Sequence, residues 1–263
     1  MNIIDAHVHI YPDKIAGKAS GSISAFYDIH VSYDGTIAKL TDICRRNNIV
    51  KCVACSVATS PEQAPIINTF MAESAKQSNG FFTCLAALHP GMTEPELDSE
   101  LDRAEMLGLR GIKLHPDFQR FRINDRAVYK IYERAEDRFP ILFHTGDKRY
   151  DFSKPAYLAN VLRDFPRLTA IGAHFGGWSE WGDVDCLAGF ENLYIDTSSS
   201  LYELDYGRAK ELIAMFGEER VLFGTDYPMW GAGEELEHIG RLGLSERALQ
   251  LILHDNAERL YGL

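Results

Sequence analysis

Asp5-Ala6-His7-Val8-His9 closes the first apolar run of the chain. On a β-strand, residues i and i+2 share a face, so His7 and His9 project side by side, as two imidazoles gripping one metal ion would. Working outward from this pair, eight short β-like runs recur: 3–9, 50–57, 82–88, 111–115, 141–144, 170–174, 193–196 and 221–223. Most are apolar throughout, the pattern of parallel strands buried on both faces. Amphipathic stretches separate them, among them 34–47, 62–77, 94–107 and 125–138. Strand–helix alternation predicts a parallel sheet, and eight units in about 250 residues predict an α/β fold of the (β/α)8 TIM-barrel type, one domain over 1–263. A doubly wound open sheet is the competing arrangement.

Local punctuation agrees with these boundaries. Ser60-Pro61 reads as a hydroxyl cap before a first-turn proline, and Thr93 with Glu96 as a capping box. Gly80, Gly108 and Gly217 fall at expected helix ends. Segments 10–33 and 226–243 read as loops longer than usual. In a barrel both flank one mouth, either as a lid over substrate or as a rigid rim.

Composition narrows the function. The 263 residues are 46% hydrophobic and 25% charged, with a net charge of −11. That balance opposes a nucleic-acid binder, because phosphate backbones recruit basic faces. No apolar run approaches the roughly 18 residues of a membrane span. The start at Asn2-Ile3-Ile4 has no basic leader pattern, and five cysteines lack framework spacing, which predicts a reducing cytoplasm. Cys52 and Cys55 form a C-x-x-C, but three residues along a strand reverse the face, so both are expected as buried core thiols.

Chemistry-bearing residues collect at one place. Of nine histidines, six stand at predicted strand C-termini: His7, His9, His89, His115, His144 and His174. That end of a barrel is where active sites form. Asp226 follows the eighth run, and since strands one and eight are neighbours in a closed barrel, it can approach His7 and His9.

These segments together resemble the amidohydrolase superfamily, in particular the branch containing aminocarboxymuconate-semialdehyde decarboxylase. The resemblance rests on Ile4-Asp5-Ala6-His7-Val8-His9, Gly111-Ile112-Lys113-Leu114-His115-Pro116, Leu142-Phe143-His144-Thr145-Gly146, Gly172-Ala173-His174-Phe175-Gly176-Gly177, Phe223-Gly224-Thr225-Asp226-Tyr227-Pro228 and Asp255-Asn256-Ala257-Glu258-Arg259-Leu260-Tyr261-Gly262. It implies one divalent metal held by His7, His9, His144 and Asp226. Zinc is the expected ion, with manganese, iron or cobalt as alternatives. Asp226 would accept the proton of a metal-activated water, and His174 would orient the reacting group or shuttle a proton. A carboxylated Lys113 would instead bring a second metal.

Substrate contacts are expected from Lys113, His115, Arg149, Trp178, Tyr227 and Trp230, with Arg120 and Arg122 as weaker candidates. Cations and aromatics at a mouth suit a small carboxylate. The leading expectation is a metal-dependent hydrolase of an ester, lactone or amide. A non-oxidative decarboxylase is the alternative, and a silent barrel that binds a ligand or partner the third reading. Homodimerisation through outer helices or rim loops is left open.

Overall fold

The computed structural model describes residues 1–263. Its strands run in chain order as β1 (Ile3–His9), β2 (Ile49–Cys55), β3 (Phe82–Cys84), β4 (Ala86–Ala87), β5 (Ile112–Leu114), β6 (Ile141–Phe143), β7 (Ala170–Gly172), β8 (Leu193–Asp196) and β9 (Val221–Leu222). All pair in parallel, in the orders β1-β2-β3 and β4 through β9. The expected third strand, 82–88, is interrupted at Leu85 and supplies both β3 and β4. Leu85 N still donates to Ala54 O at 2.9 Å and Ala86 N to Gly111 O at 2.7 Å, so the wall stays continuous.

The cylinder closes between β1 and the chain after β9. Ala6 N donates to Phe223 O (2.8 Å), Asp226 N to His7 O (2.8 Å) and His9 N to Tyr227 O (2.7 Å). The fold is therefore the expected (β/α)8 barrel. Apolar side chains from every strand enter a continuous core with the inner helix faces. A smaller apolar cluster fills the cylinder itself, with Ile4, Val53, Leu85, Leu142, Ile171 and Leu222 among its members.

The helices are α1 (Asp13–Tyr27), α2 (Ile37–Arg46), α3 (Gln63–Gln77), α4 (Glu94–Met106), α5 (Pro116–Gln119), α6 (Tyr129–Ala135), α7 (Pro155–Asp164), α8 (Tyr206–Phe216), α9 (Ala232–Arg241), α10 (Glu246–Gln250) and α11 (Asn256–Tyr261). The Thr93 cap forms as expected: Glu96 Oε2 accepts from Thr93 N (2.7 Å) and Thr93 Oγ1 (2.8 Å). Ser60-Pro61 instead lies in a turn, and α3 begins two residues later.

Both expected long loops need correction. Segment 10–33 is mostly helix α1, and 226–243 contains α9. In α1, Gly17 and Gly21 read as loop residues, yet a Cβ at either would meet nothing within 4 Å; they are tolerated on open helix faces. After β7 the outer helix shrinks to one 3-10 turn, Val184–Leu187.

Gly146 is required where it stands, directly after the strand end that carries His144. Its φ is +79°, and a Cβ there would lie 2.4 Å from both Gly177 C and Trp178 N. Gly146→Ala is therefore expected to destabilise the fold by at least about 2 kcal/mol, read as a lowered denaturant midpoint. An unchanged midpoint would show that the loop yields.

Candidate metal centre

The C-terminal ends of the strands surround a cavity of about 370 Å³ whose lining includes His7, His9, Lys113, His115, His174 and Asp226. His7 and His9 point inward together, as the strand period dictates, with their Nε2 atoms 3.3 Å apart. Asp226 Oδ1 lies 3.2 Å from His9 Nε2 and 3.6 Å from His7 Nε2. Ligands about 2.0–2.2 Å from one tetrahedral ion stand roughly 3.3–3.6 Å from each other, so this trio fits a shared divalent cation. Lys113 Nζ completes the cluster, 3.2 Å from His7 Nε2.

His144 lines the same cavity on the side of His174. Its Nδ1 is 3.0 Å from His174 Nε2, and its Nε2 faces Asp117 Oδ2 at 3.6 Å with no hydrogen-bond partner. The structure thus packs His7, His9 and Asp226 as one tight group, with His144 reaching them by way of His174.

Three supporting residues were absent from the sequence reading. Asp196 ends β8, and its Oδ2 accepts from His7 Nδ1 at 2.8 Å, which turns Nε2 of His7 toward the cavity. Asp196 Oδ1 also accepts from His174 N (2.9 Å) and Ser198 N (3.1 Å). His174 Nδ1 lies 3.1 Å from the Ser198 carbonyl; a carbonyl only accepts, so this nitrogen carries the proton and Nε2 keeps its lone pair. Ser199 Oγ donates to Asp226 Oδ2 at 2.6 Å and itself accepts from Trp230 Nε1 at 3.1 Å, steering the carboxylate. The legible signal was Asp196-Thr197-Ser198-Ser199-Ser200, an acid and a hydroxyl run at a strand end. His174, Ser199 and Asp226 all sit at positive φ (61°, 46° and 59°), backbone geometry that such sites tolerate because the surroundings enforce it.

The charges follow from these neighbours. Burial and the Lys113 ammonium both oppose charge on His7, but the Asp196 carboxylate overrides them and raises its pKa. Burial would raise the Asp226 carboxyl, yet the hydrogen bond from His9 and the nearby imidazoles hold it far below the usual range. Burial pushes His174 down to about 4, against the pull of Asp226 and Asp196. His174 is accordingly neutral at pH 7, a base or acceptor and not a cation.

The remaining expected residues divide. His115 lines the cavity, stacked between Phe118 (3.8 Å) and His144 (4.1 Å), and Tyr27 Oη sits 2.9 Å from its Nε2. Trp178 and Trp230 line a small annex beside it. Arg149 is elsewhere engaged: both Asp147 oxygens and the Phe26 carbonyl take its donors. Tyr227 is buried in the seam and donates to Thr36 O at 3.0 Å, outside the cavity lining. His89 caps its own turn by accepting from Gly91 N, so five of the six strand-end histidines face the mouth. Arg122 pairs with Asp151 at 2.6 Å, whereas Arg120 lies on the cavity wall without an ion pair.

The amidohydrolase family profile matches residues 4–263, and the chain belongs to that family of metal-dependent enzymes. No curated protein matches it. Among solved structures it is similar to an uncharacterized TIM-barrel protein from Bordetella bronchiseptica (23% identity, TM-score 0.82, covering 100% of this chain and 99% of that one). It is also similar to a dihydroxybenzoic acid decarboxylase from Polaromonas sp. JS666 with bound manganese and 2-nitroresorcinol (16%, 0.76, 100% and 98%). A third likeness is to a protein from Pseudomonas putida assigned as a 2-pyrone-4,6-dicarboxylic acid hydrolase (18%, 0.71, 99% and 97%). At these identities the likenesses establish the barrel.

The depressed His174 pKa has a consequence for stability. In chelator-treated protein the unfolded chain takes up this proton near 6.5, the folded chain near 4. Between those values the unfolded state binds more protons, so this contribution to stability is lost as pH falls through the window. Urea unfolding at pH 7, 6 and 5 should show the decline, and His174→Asn should flatten it; an equal slope in the variant would disprove the assignment.

Proposed function

We propose that this protein is a metal-dependent, non-oxidative decarboxylase of a small planar unsaturated or aromatic carboxylic acid. The observation that carries the reading is the cavity's two-sided character. One side is the ligand cluster of His7, His9 and Asp226 with the Lys113 ammonium. The other is aromatic: the stacked rings of His115 and Phe118, 5° apart, with Tyr27 beside them and α1 above. A planar acid would lie against the edges of this ring stack, with its carboxylate toward Lys113 and Arg120. The decarboxylase of similar fold, holding manganese and a nitro-substituted ring, supports the same choice.

His7, His9 and Asp226 would hold the cation, with His144 and His174 beside them. When bound, a divalent ion in this place supplies Lewis-acid polarisation of a substrate oxygen. Zinc or manganese both suit nitrogen and carboxylate donors. The C–C bond to the carboxyl group breaks, CO2 leaves, and the electron pair remains on the substrate carbon. Asp226, ionised and steered by Ser199, would first take a proton from water or from a hydroxyl of the substrate and then deliver it to that carbon, so that the carboxylate and one proton become the decarboxylated product and CO2. His174, neutral and presenting a lone pair, holds or relays the proton on the same wall.

Hydrolysis of an ester or lactone is the second reading. It is favoured by Asp226 Oδ1, which would take the proton of an attacking water, and by the pyrone-dicarboxylate hydrolase assignment among the similar structures. Product analysis in 18O-labelled water separates the two. Decarboxylation releases CO2 and leaves the organic product unlabelled, whereas hydrolysis adds labelled oxygen to it without CO2.

Two variants test the roles. His7→Ala should lose bound metal and turnover together. His174→Asn should keep its metal, measured by elemental analysis, while kcat falls by about 10²–10⁴-fold. Normal turnover in His174→Asn would remove that residue from the mechanism.

A further inference from the structure

One side chain of the metal cage is left unused by the chemistry above. Cys55 ends β2, and its Cα is the register partner of His9 across the β1–β2 pair. The side chain is fully buried, with Sγ 3.6 Å from His9 Nδ1 and 4.0 Å from His9 Nε2. Sγ, a His7 nitrogen and a His9 nitrogen all lie within 4.8 Å of one another. The other thiols lie apart from this cluster. Cys44 and Cys52 meet each other at 3.5 Å, Cys84 is buried in the main core, and Cys186 is exposed.

We infer that Cys55 is a further ligand of the cation held by His7, His9 and Asp226, giving that centre a mixed nitrogen, oxygen and sulfur donor set to which a substrate oxygen would add as the fifth donor. The inference rests on the metal-dependent reading and adds the ligand that would set metal preference. Bonds of about 2.3 Å to sulfur and 2.05 Å to nitrogen, at a tetrahedral angle, place the two donors about 3.6 Å apart. The 4.0 Å between Sγ and His9 Nε2 would have to shorten by about 0.4 Å to reach that value. The same arithmetic gives about 3.3 Å for two nitrogens, which matches the His7–His9 pair. Coordination would replace the S–H bond by a sulfur–metal bond and release one proton. A thiolate favours zinc, cobalt or cadmium over manganese and magnesium.

Cobalt replacement tests this directly. The full chain is stripped with a chelator, reloaded with one equivalent of Co2+, and its absorption spectrum recorded. The expected wild-type spectrum has visible cobalt bands and an intense near-ultraviolet thiolate-to-cobalt band. In Cys55→Ser the visible bands and one-to-one stoichiometry should persist, the near-ultraviolet band should vanish, and cobalt affinity should fall at least about tenfold. Zinc should also lose part of its advantage over manganese in competition. Visible bands without the thiolate band in the wild type, or a thiolate band that survives Cys55→Ser, would overturn the assignment. The wild-type spectrum decides even if the variant folds poorly. Failure of the wild type to take up cobalt would overturn the metal reading itself, and the Cys55 ligand with it.

Discussion

The closure of the barrel between β1 and residues 223–227 is the constraint on which the rest depends. Three backbone hydrogen bonds make that seam, and they bring residues more than two hundred positions apart into register. Asp5 locks it: its Oδ2 accepts from Thr225 Oγ1 (2.7 Å), and its Oδ1 from Thr225 N (3.1 Å) and His7 N (3.2 Å). Burial raises this carboxyl to about 7 in spite of those donors, so the seam carries a polar group whose cost is contained only while the bonds hold. Gly224 reveals how close the approach is. A Cβ there would stand 2.8 Å from His7 Cβ. Only a seam this tight brings Asp226 within 3.2 Å of His9.

On that frame, the imidazoles are aimed by groups outside the cavity. Asp196 fixes His7 through its ring and His174 through its backbone, so one carboxylate sets two walls of the site. Ser199 and Trp230 do the same for Asp226. A cluster of nitrogens and one carboxylate would otherwise rotate toward whichever proton suited it. With these bonds in place, the lone pairs converge and little reorganisation is left for the moment a ligand arrives.

Most of this was legible wherever a residue's role follows from strand period and chain order. His7, His9, Lys113, His115 and His174 face the mouth because they sit at strand ends, and Asp226 joins them because first and last strands must meet. Other features hide for physical reasons. Asp196 looks like one more strand residue until its partner, a ring 189 positions earlier, is known. Cys52 and Cys55 are both buried, as expected, and the alternation that separates the two sends Cys52 toward Cys44 and Cys55 toward His9. Helix α1 was concealed by its glycines and serines; the cost of Gly17 and Gly21 on open faces is small and is offset by the apolar contacts of Phe26 and Tyr27.

Arg149 shows why rim cations are hard to assign from sequence. Its position after a strand end suits substrate binding, but the guanidinium is committed to Asp147 and the Phe26 carbonyl and lies 5.0–5.5 Å from the rings of Phe26, Tyr27, Tyr150 and Trp178. These contacts tie α1 to the loop that follows His144. Tyr27, at the end of α1, then reaches His115 with its hydroxyl and Trp178 with its ring. The roof of the cavity is therefore bonded to its aromatic wall, and the wall's position depends on the roof. Among the arginines on this side, Arg149 builds the enclosure and Arg120 is the one that stays without an ion pair on the cavity wall.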